Sequence, residues 1–115
     1  MSDYKDWGVW RKSMELVEEV YRHTKTFPKE ELHGLTSQMR RAAVSVPSNI
    51  AEGHARISKN DRLHFFRIAF ASSKELETQI EICRRLGYIQ EVERKSLDDV
   101  LIQVIKMLAT LVFSH

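Results

Sequence analysis

The sequence predicts an all-α protein, folded as an antiparallel up-and-down four-helix bundle. Three observations carry that prediction. Four stretches repeat apolar residues at steps of three and four, the spacing of one helix face. No stretch alternates apolar and polar residues over a useful strand length. Only four glycines and two prolines interrupt 115 residues, so long helices with short links are favoured, and short links make neighbouring helices antiparallel.

The first helix sets Trp10, Met14, Val17, Tyr21 and Thr24 on one face. Phe27-Pro28 stops it, because the residue before a proline avoids the helical region. The connector "PKEELHG" has room for one turn beginning at Pro28, a favoured first helical position. The second helix runs from about Leu35 to Ile57, with Leu35, Met39, Ala42, Val46, Ile50 and Gly53 on its apolar side. The third opens at Ser58, a cap residue three positions before Asp61, and extends to Leu86. Gly87 is its left-handed stop. The fourth runs from about Glu91 to Phe113, with Leu97, Leu101, Val104, Leu108 and Leu111 as a heptad-like seam.

Within the second helix, "RRAAVSVPSNIAEG" places Pro47 inside a helical run. Pro47 removes the bond to the Ala43 carbonyl and costs about 3 kcal/mol in a helix interior. Laid out at about 100° per residue, Gln38, Arg41, Ser45, Asn49, Glu52 and Arg56 form one polar stripe beside the apolar face. The stripe continues on both sides of Pro47. We read a helix kinked at Pro47, with a polar seam packed against its neighbour. Ser45, Ser48 or Asn49 would resatisfy the local backbone.

The chain is long enough for a single domain, residues 1–115, around one core. Cys83 is the only cysteine, so no intrachain disulfide forms. Its neighbours Ile82 and Leu86 suggest a buried thiol in a reducing compartment. No apolar run reaches membrane-spanning length, and "MSDYKDWGVW" lacks a signal-peptide layout. A cytoplasmic protein is expected.

Charge is unevenly distributed although the net charge is only +2. Residues 40–67 hold six cations against two acids, and residues 75–99 hold seven acids against four cations. Such asymmetry fits a nucleic-acid surface, a subunit interface where opposite patches meet, or solvated helix faces that happen to differ. Apolar residues are also in surplus. Phe65, Phe66, Ile68 and Phe70 surround most of the third helix, and Ile102, Met107 and Phe113 lie outside the main seam of the fourth. A helix apolar on several sides is buried on several sides, which predicts an oligomer.

No catalytic constellation emerges. The five histidines form no helical metal pair and no HExxH motif. Glu30 and His33 have di-metal spacing but sit in the connector without a mate. His54 lies across the helix from Ser45 and Glu52, and no glycine-rich phosphate loop exists. A non-catalytic protein without metal or cofactor is expected. Arg40, Lys59, Arg62 and Arg67 are the candidate contacts to RNA or DNA phosphates, with little base specificity. Arg41 and Arg56 are expected to be structural members of the seam. The alternative is a scaffold for protein interaction, its cations paired with acids.

Two segments, "GLTSQMRRAAVSVPSNIAEGHARIS" and "FFRIAFASSKELETQIEICRRLGYI", resemble the 23S ribosomal RNA intervening-sequence protein family, also called four helix bundle proteins. Matching positions include Trp10, Phe27-Pro28, Gln38, Arg41, Ser45, Pro47, Asn49 to Gly53, Arg56, Ser72, Glu75, Gln79 and Leu86 to Ile89. The resemblance spans nearly the whole chain. It implies an up-and-down four-helix bundle in a bacterial protein. It also implies similarity to the accessory variability protein of diversity-generating retroelements, a pentameric barrel that binds nucleic acid and a reverse transcriptase. A homo-pentamer is therefore the expected assembly, with RNA, DNA, a reverse transcriptase or another protein as partner.

Overall fold

Helices α1 (Gly8–Thr24), α2 (Leu35–Ala55), α3 (Lys59–Leu86) and α4 (Glu91–Phe113) carry the chain. The computed structural model describes residues 3–114, and no strand occurs among them. Single 3-10 turns cover Tyr4–Asp6 and Lys29–Glu31, the second directly after Pro28. Each helix packs against the next, and α4 closes the square against α1, while the diagonal pairs stay apart among the described residues. The α2–α3 pairs Gly53–Phe66 and Ser45–Ser72, and the Cys83–Met39 contact, run in opposite senses along the two helices. The result is an antiparallel four-helix bundle.

The helix ends follow local chemistry. Ser58 Oγ accepts the Asp61 N–H at 3.1 Å, which caps α3. Gly87 ends α3 at φ 76°, a left-handed conformation, and Tyr88 N–H then donates to the Cys83 carbonyl at 2.9 Å. At the same end of the bundle, Glu31 bridges two elements. It accepts the Leu35 N–H at 3.2 Å, at the start of α2, and the Tyr88 hydroxyl at 2.9 Å. Phe27 packs on the Tyr88 ring at 5.3 Å between centroids. The "FP" and "LGYI" segments thus meet, and together they close this end of the core.

Two expected core faces shift. In α1 the buried residues are Val9, Ser13, Leu16, Val20, His23 and Thr24. Of the predicted face only Thr24 is buried; Met14 and Tyr21 are exposed, and Trp10 and Val17 are half-buried. The cause is Ser13, which enters the core by donating to the Trp10 carbonyl at 2.7 Å. In α4 the seam ends at Val112, with Leu111 half-buried. A strict seven-residue repeat drifts on a straight helix, so the buried line moves one position along.

Helix α2 continues through Pro47, which is buried. Asn49 donates its amide to the Ser45 carbonyl at 2.8 Å and to Ser45 Oγ at 3.0 Å. The Ser45 and Ser72 hydroxyls share a hydrogen bond of 2.9 Å across to α3. The Asn49 side chain therefore braces the proline turn, while Ser45 links that turn to the next helix. Lower down, Gly53 lies against the Phe66 ring.

Two outcomes test this packing. A Cβ at position 53 would stand 2.5 Å from Phe66 Cε1 and 3.2 Å from the Arg62 carbonyl oxygen. Gly53→Ala should therefore lose about 1–3 kcal/mol by overpacking, more than the ~1 kcal/mol gained in helix propensity. A lower urea midpoint is the expected reading; a higher one would mean that the ring yields freely. Separately, burial, reinforced by the Glu31 charge, pushes the Cys83 thiol up to about 12. Iodoacetamide at neutral pH should leave the folded protein unlabelled and modify it only as it unfolds, as followed by intact mass.

Candidate nucleic-acid interface and polar cleft

The polar seam lies where α2 meets α3. A cleft of about 290 Å³ there is lined by Gln38, Arg41, Ala42, Ser45, Ser72 and Glu75. Ser45 and Asn49 are half-buried, whereas Gln38, Arg41, Glu52 and Arg56 are exposed. The seam therefore has a packed middle and open ends. Gln79, buried on α3, donates its amide to Glu75 Oε2 at 3.1 Å, and its Oε1 has no hydrogen-bond partner among the described residues. The two separate motif segments of the sequence converge at this cleft.

The arginine doublet divides differently from the sequence reading. Arg40, a candidate phosphate contact by sequence, is half-buried between α1 and α2. Its Nε donates to Thr24 Oγ1 at 2.9 Å, and its guanidinium lies 4.5 Å from the Tyr21 ring centroid. Arg41, a structural residue by sequence, is instead exposed. It makes no hydrogen bond or ion pair among the described residues, and stands between the polar cleft and a second groove lined by Tyr21, Leu32, Thr36 and Arg40 among others. Adjacent helical residues point about 100° apart, so one arginine faces α1 and the other faces solvent.

The remaining basic residues gather toward the α2–α3 turn. Arg56, expected to be structural, is exposed, pairs with Glu52 at 2.9 Å and lies 4.7 Å from the Phe65 ring centroid. Arg62 is half-buried and donates Nε to the Arg56 carbonyl at 2.7 Å. Lys59 and Arg67 are exposed, and neither has an ion-pair partner among the described residues. Several cations on α3 and α4 are engaged by acids, whereas Lys25, Lys29 and Lys106 are exposed without an ion pair among the described residues. Hydrogen bonds from Arg84 and then Arg85 hold the Glu81 carboxyl down at about 2. Arg94 pairs with Asp98, and Lys74 pairs with Glu77. Three of the unpaired exposed cations, Arg41, Lys59 and Arg67, belong to the α2–α3 hairpin.

The apolar surplus is also arranged by side. The expected excess on α3 is partly absorbed by the bundle, since Phe66 is buried and Phe65, Ile68 and Phe70 are half-buried. Two open apolar faces remain. On the α1–α2 side, a groove of about 360 Å³ is lined by Trp10, Met14, Val17, Val44 and Pro47 among others. On the α3–α4 side, Phe113 packs edge-on against Phe70 at 5.4 Å and is 67% exposed. Ile102, within about 20° of Phe113 on the helical wheel, is exposed as well. Met107 borders a separate apolar groove with Trp7, Val9 and Leu111 between α1 and α4.

Comparison with known proteins agrees with this architecture. A crystal structure of a protein of unknown function, from the S23 ribosomal protein family of Bacteroides thetaiotaomicron, matches with a TM-score of 0.83. The two share 23% identity over 91% of this chain and 98% of that one, a likeness of fold. The comparison with curated proteins gave no match. The family model described as 23S rRNA-intervening sequence protein matches residues 5–110, across all four helices and both motif segments. The chain belongs to the 23S rRNA-intervening sequence protein family.

Proposed function

We propose that this protein is a non-catalytic, oligomeric helical bundle that binds nucleic acid through phosphate contacts with weak sequence specificity. The observation that carries the reading is the set of exposed cations on one hairpin, Arg41, Lys59 and Arg67, without acidic partners among the described residues. Most other exposed basic side chains on α3 and α4 sit within 4 Å of an acid, so unpaired positive charge on these two helices lies mainly at Lys59 and Arg67, with Arg41 beside them on α2. Phosphates bind such a surface by releasing condensed counterions. Little in the arrangement addresses base edges, and such contacts position a duplex without reading it.

The oligomer rests on the two apolar faces. They lie on opposite sides of the square of helices and differ in shape, one a groove and the other a pair of protruding side chains. Different faces on opposite sides suit head-to-tail association, which closes into a ring when the rotation per copy permits. Five copies is the number the family resemblance suggests. The many ion pairs on α3 and α4 favour the competing reading, a protein-interaction scaffold with no nucleic acid bound.

Native mass spectrometry should show a closed oligomer. A lone 13.5 kDa species at micromolar concentration would remove the assembly from the proposal. Val44→Glu and Ile102→Glu, at exposed positions on the two faces, should each dissociate the oligomer and leave helical content unchanged. If both variants stay assembled, the faces are misassigned.

Affinity for nucleic acid should fall steeply with salt, with a log–log slope of about −0.9 per phosphate contact on duplex DNA. Replacing Arg41, Lys59 and Arg67 by Gln should flatten the slope by about 0.9 for each phosphate that is no longer neutralised. Arg40→Gln should instead cost about 1 kcal/mol of stability, from its hydrogen bond and ring contact. Absence of RNA and DNA binding at about 50 mM salt, where such binding is strong, would favour the scaffold.

A further inference from the structure

The link between α2 and α3 presents one side chain that the fold does not use. Ile57 is 98% exposed, at the tip of the turn. Its flanks are firmly held. Arg56 N–H donates to the Gly53 carbonyl at 3.2 Å, and the Arg56 carbonyl accepts Arg62 Nε at 2.7 Å. The Ser58 carbonyl accepts the Arg62 N–H at 3.1 Å, while Ser58 Oγ caps Asp61 at 3.1 Å. The Arg56 guanidinium is fixed between Glu52 and the Phe65 ring. A β-branched residue is stiff at χ1. The turn therefore holds an apolar finger away from the protein, and Lys59, Asn60, the acidic Asp61 and Arg62 follow it in the first turn of α3.

We propose that Ile57 is a wedge that enters a base step of a duplex, while Lys59 and Arg62 take the flanking phosphates and Asn60 lies at the groove edge. The inference rests on the nucleic-acid reading above and specifies how that contact is made. Duplexes are met in this way by a single apolar side chain set among Arg, Lys and Asn, which partly unstacks one step. A membrane surface would require a broad apolar face rather than one residue. Electrostatic contacts alone give no reason for an isoleucine at a tip where Lys59 and Arg62 outnumber Asp61, and where Glu52 pairs with Arg56. Insertion is easiest where stacking is weak, so the wedge also gives a preference for flexible pyrimidine–purine steps without base-edge contacts.

The test uses short duplexes, DNA and RNA in parallel, carrying 2-aminopurine beside a pyrimidine–purine step or beside a mismatch. Binding of the wild-type protein should raise the 2-aminopurine fluorescence, and the nucleic acid that responds is the one the wedge fits. Ile57→Ala should abolish the rise and weaken binding about tenfold, because the unstacked step is left without its filler. Its salt slope should not change, since every phosphate stays neutralised. Ile57→Phe should keep the fluorescence rise. Neither substitution touches the core, so thermal unfolding should match the wild type and exclude misfolding. Salt-sensitive binding with flat fluorescence and an unaffected Ile57→Ala variant would overturn the wedge and leave the phosphate reading standing. No binding to either duplex at about 50 mM salt would overturn both. Ile57-dependent binding to phosphatidylserine vesicles, with no response from either duplex, would overturn it in favour of a membrane.

Discussion

The close approach of α2 and α3 is the constraint on which the rest of the molecule depends. This is the broadest helix contact in the bundle. Small residues are buried along both helices, Ala42, Ala43 and Gly53 on α2 and Ala69, Ser72 and Ser73 on α3, with Ser45 half-buried beside them. Gly53 admits the Phe66 ring, and the Ser45–Ser72 hydrogen bond supplies the polar pairing that buried hydroxyls require. Beside Pro47, Asn49 braces the same turn through the Ser45 carbonyl. Helices this close need only a short link, and only Arg56 to Ser58 separate α2 from α3. The exposed tip at Ile57 is thus a geometric consequence of small residues placed well inside the helices.

Much of the fold was legible in the sequence, for reasons specific to each element. The Ser58 cap, the Gly87 stop and the Pro28 turn are local chemistry, and local chemistry is written in consecutive residues. The apolar side of α2 was readable because large and small apolar residues alternate there without a competing face. Helix α1 was not, because it carries two apolar faces side by side. The larger residues Trp10, Met14 and Tyr21 drew the reading to the outer face, while Ser13 hid the inner one. A serine that satisfies its hydroxyl on its own helix is nearly as good a core residue as alanine, and residue type alone does not reveal that.

The site was legible as a pattern but not as a set of roles. The polar stripe from Gln38 to Arg56 does follow one edge of α2, and its middle is packed as expected. Whether an arginine on that edge is paired depends on which side chain the neighbouring helix brings opposite. Arg56 meets Glu52 within its own helix, at i,i+4 spacing that can be read from sequence. Arg40 meets Thr24 and Tyr21 across sixteen or more positions, and only the packed structure supplies that distance. Arg41, one residue on, finds neither kind of partner among the described residues.

The matched motif positions therefore divide into two groups by what holds them. Phe27, Tyr88, Gly53, Ser45 and Ser72 are each fixed by a contact inside the bundle, and the fold accounts for them. Gln38 and Arg41 are exposed on the same cleft, and no hydrogen bond among the described residues engages either side chain. Beside them Glu75 takes the Gln79 amide, while the Gln79 carbonyl oxygen is buried without a donor. A buried acceptor left unpaired has a cost in free energy, and the closing of α2 on α3 leaves it in place. The packing that makes α2 and α3 a rigid pair thus leaves polar capacity unused along its open edge, where positive charge is also exposed. The hairpin that stabilises the bundle is also the hairpin that exposes this polar and positively charged edge.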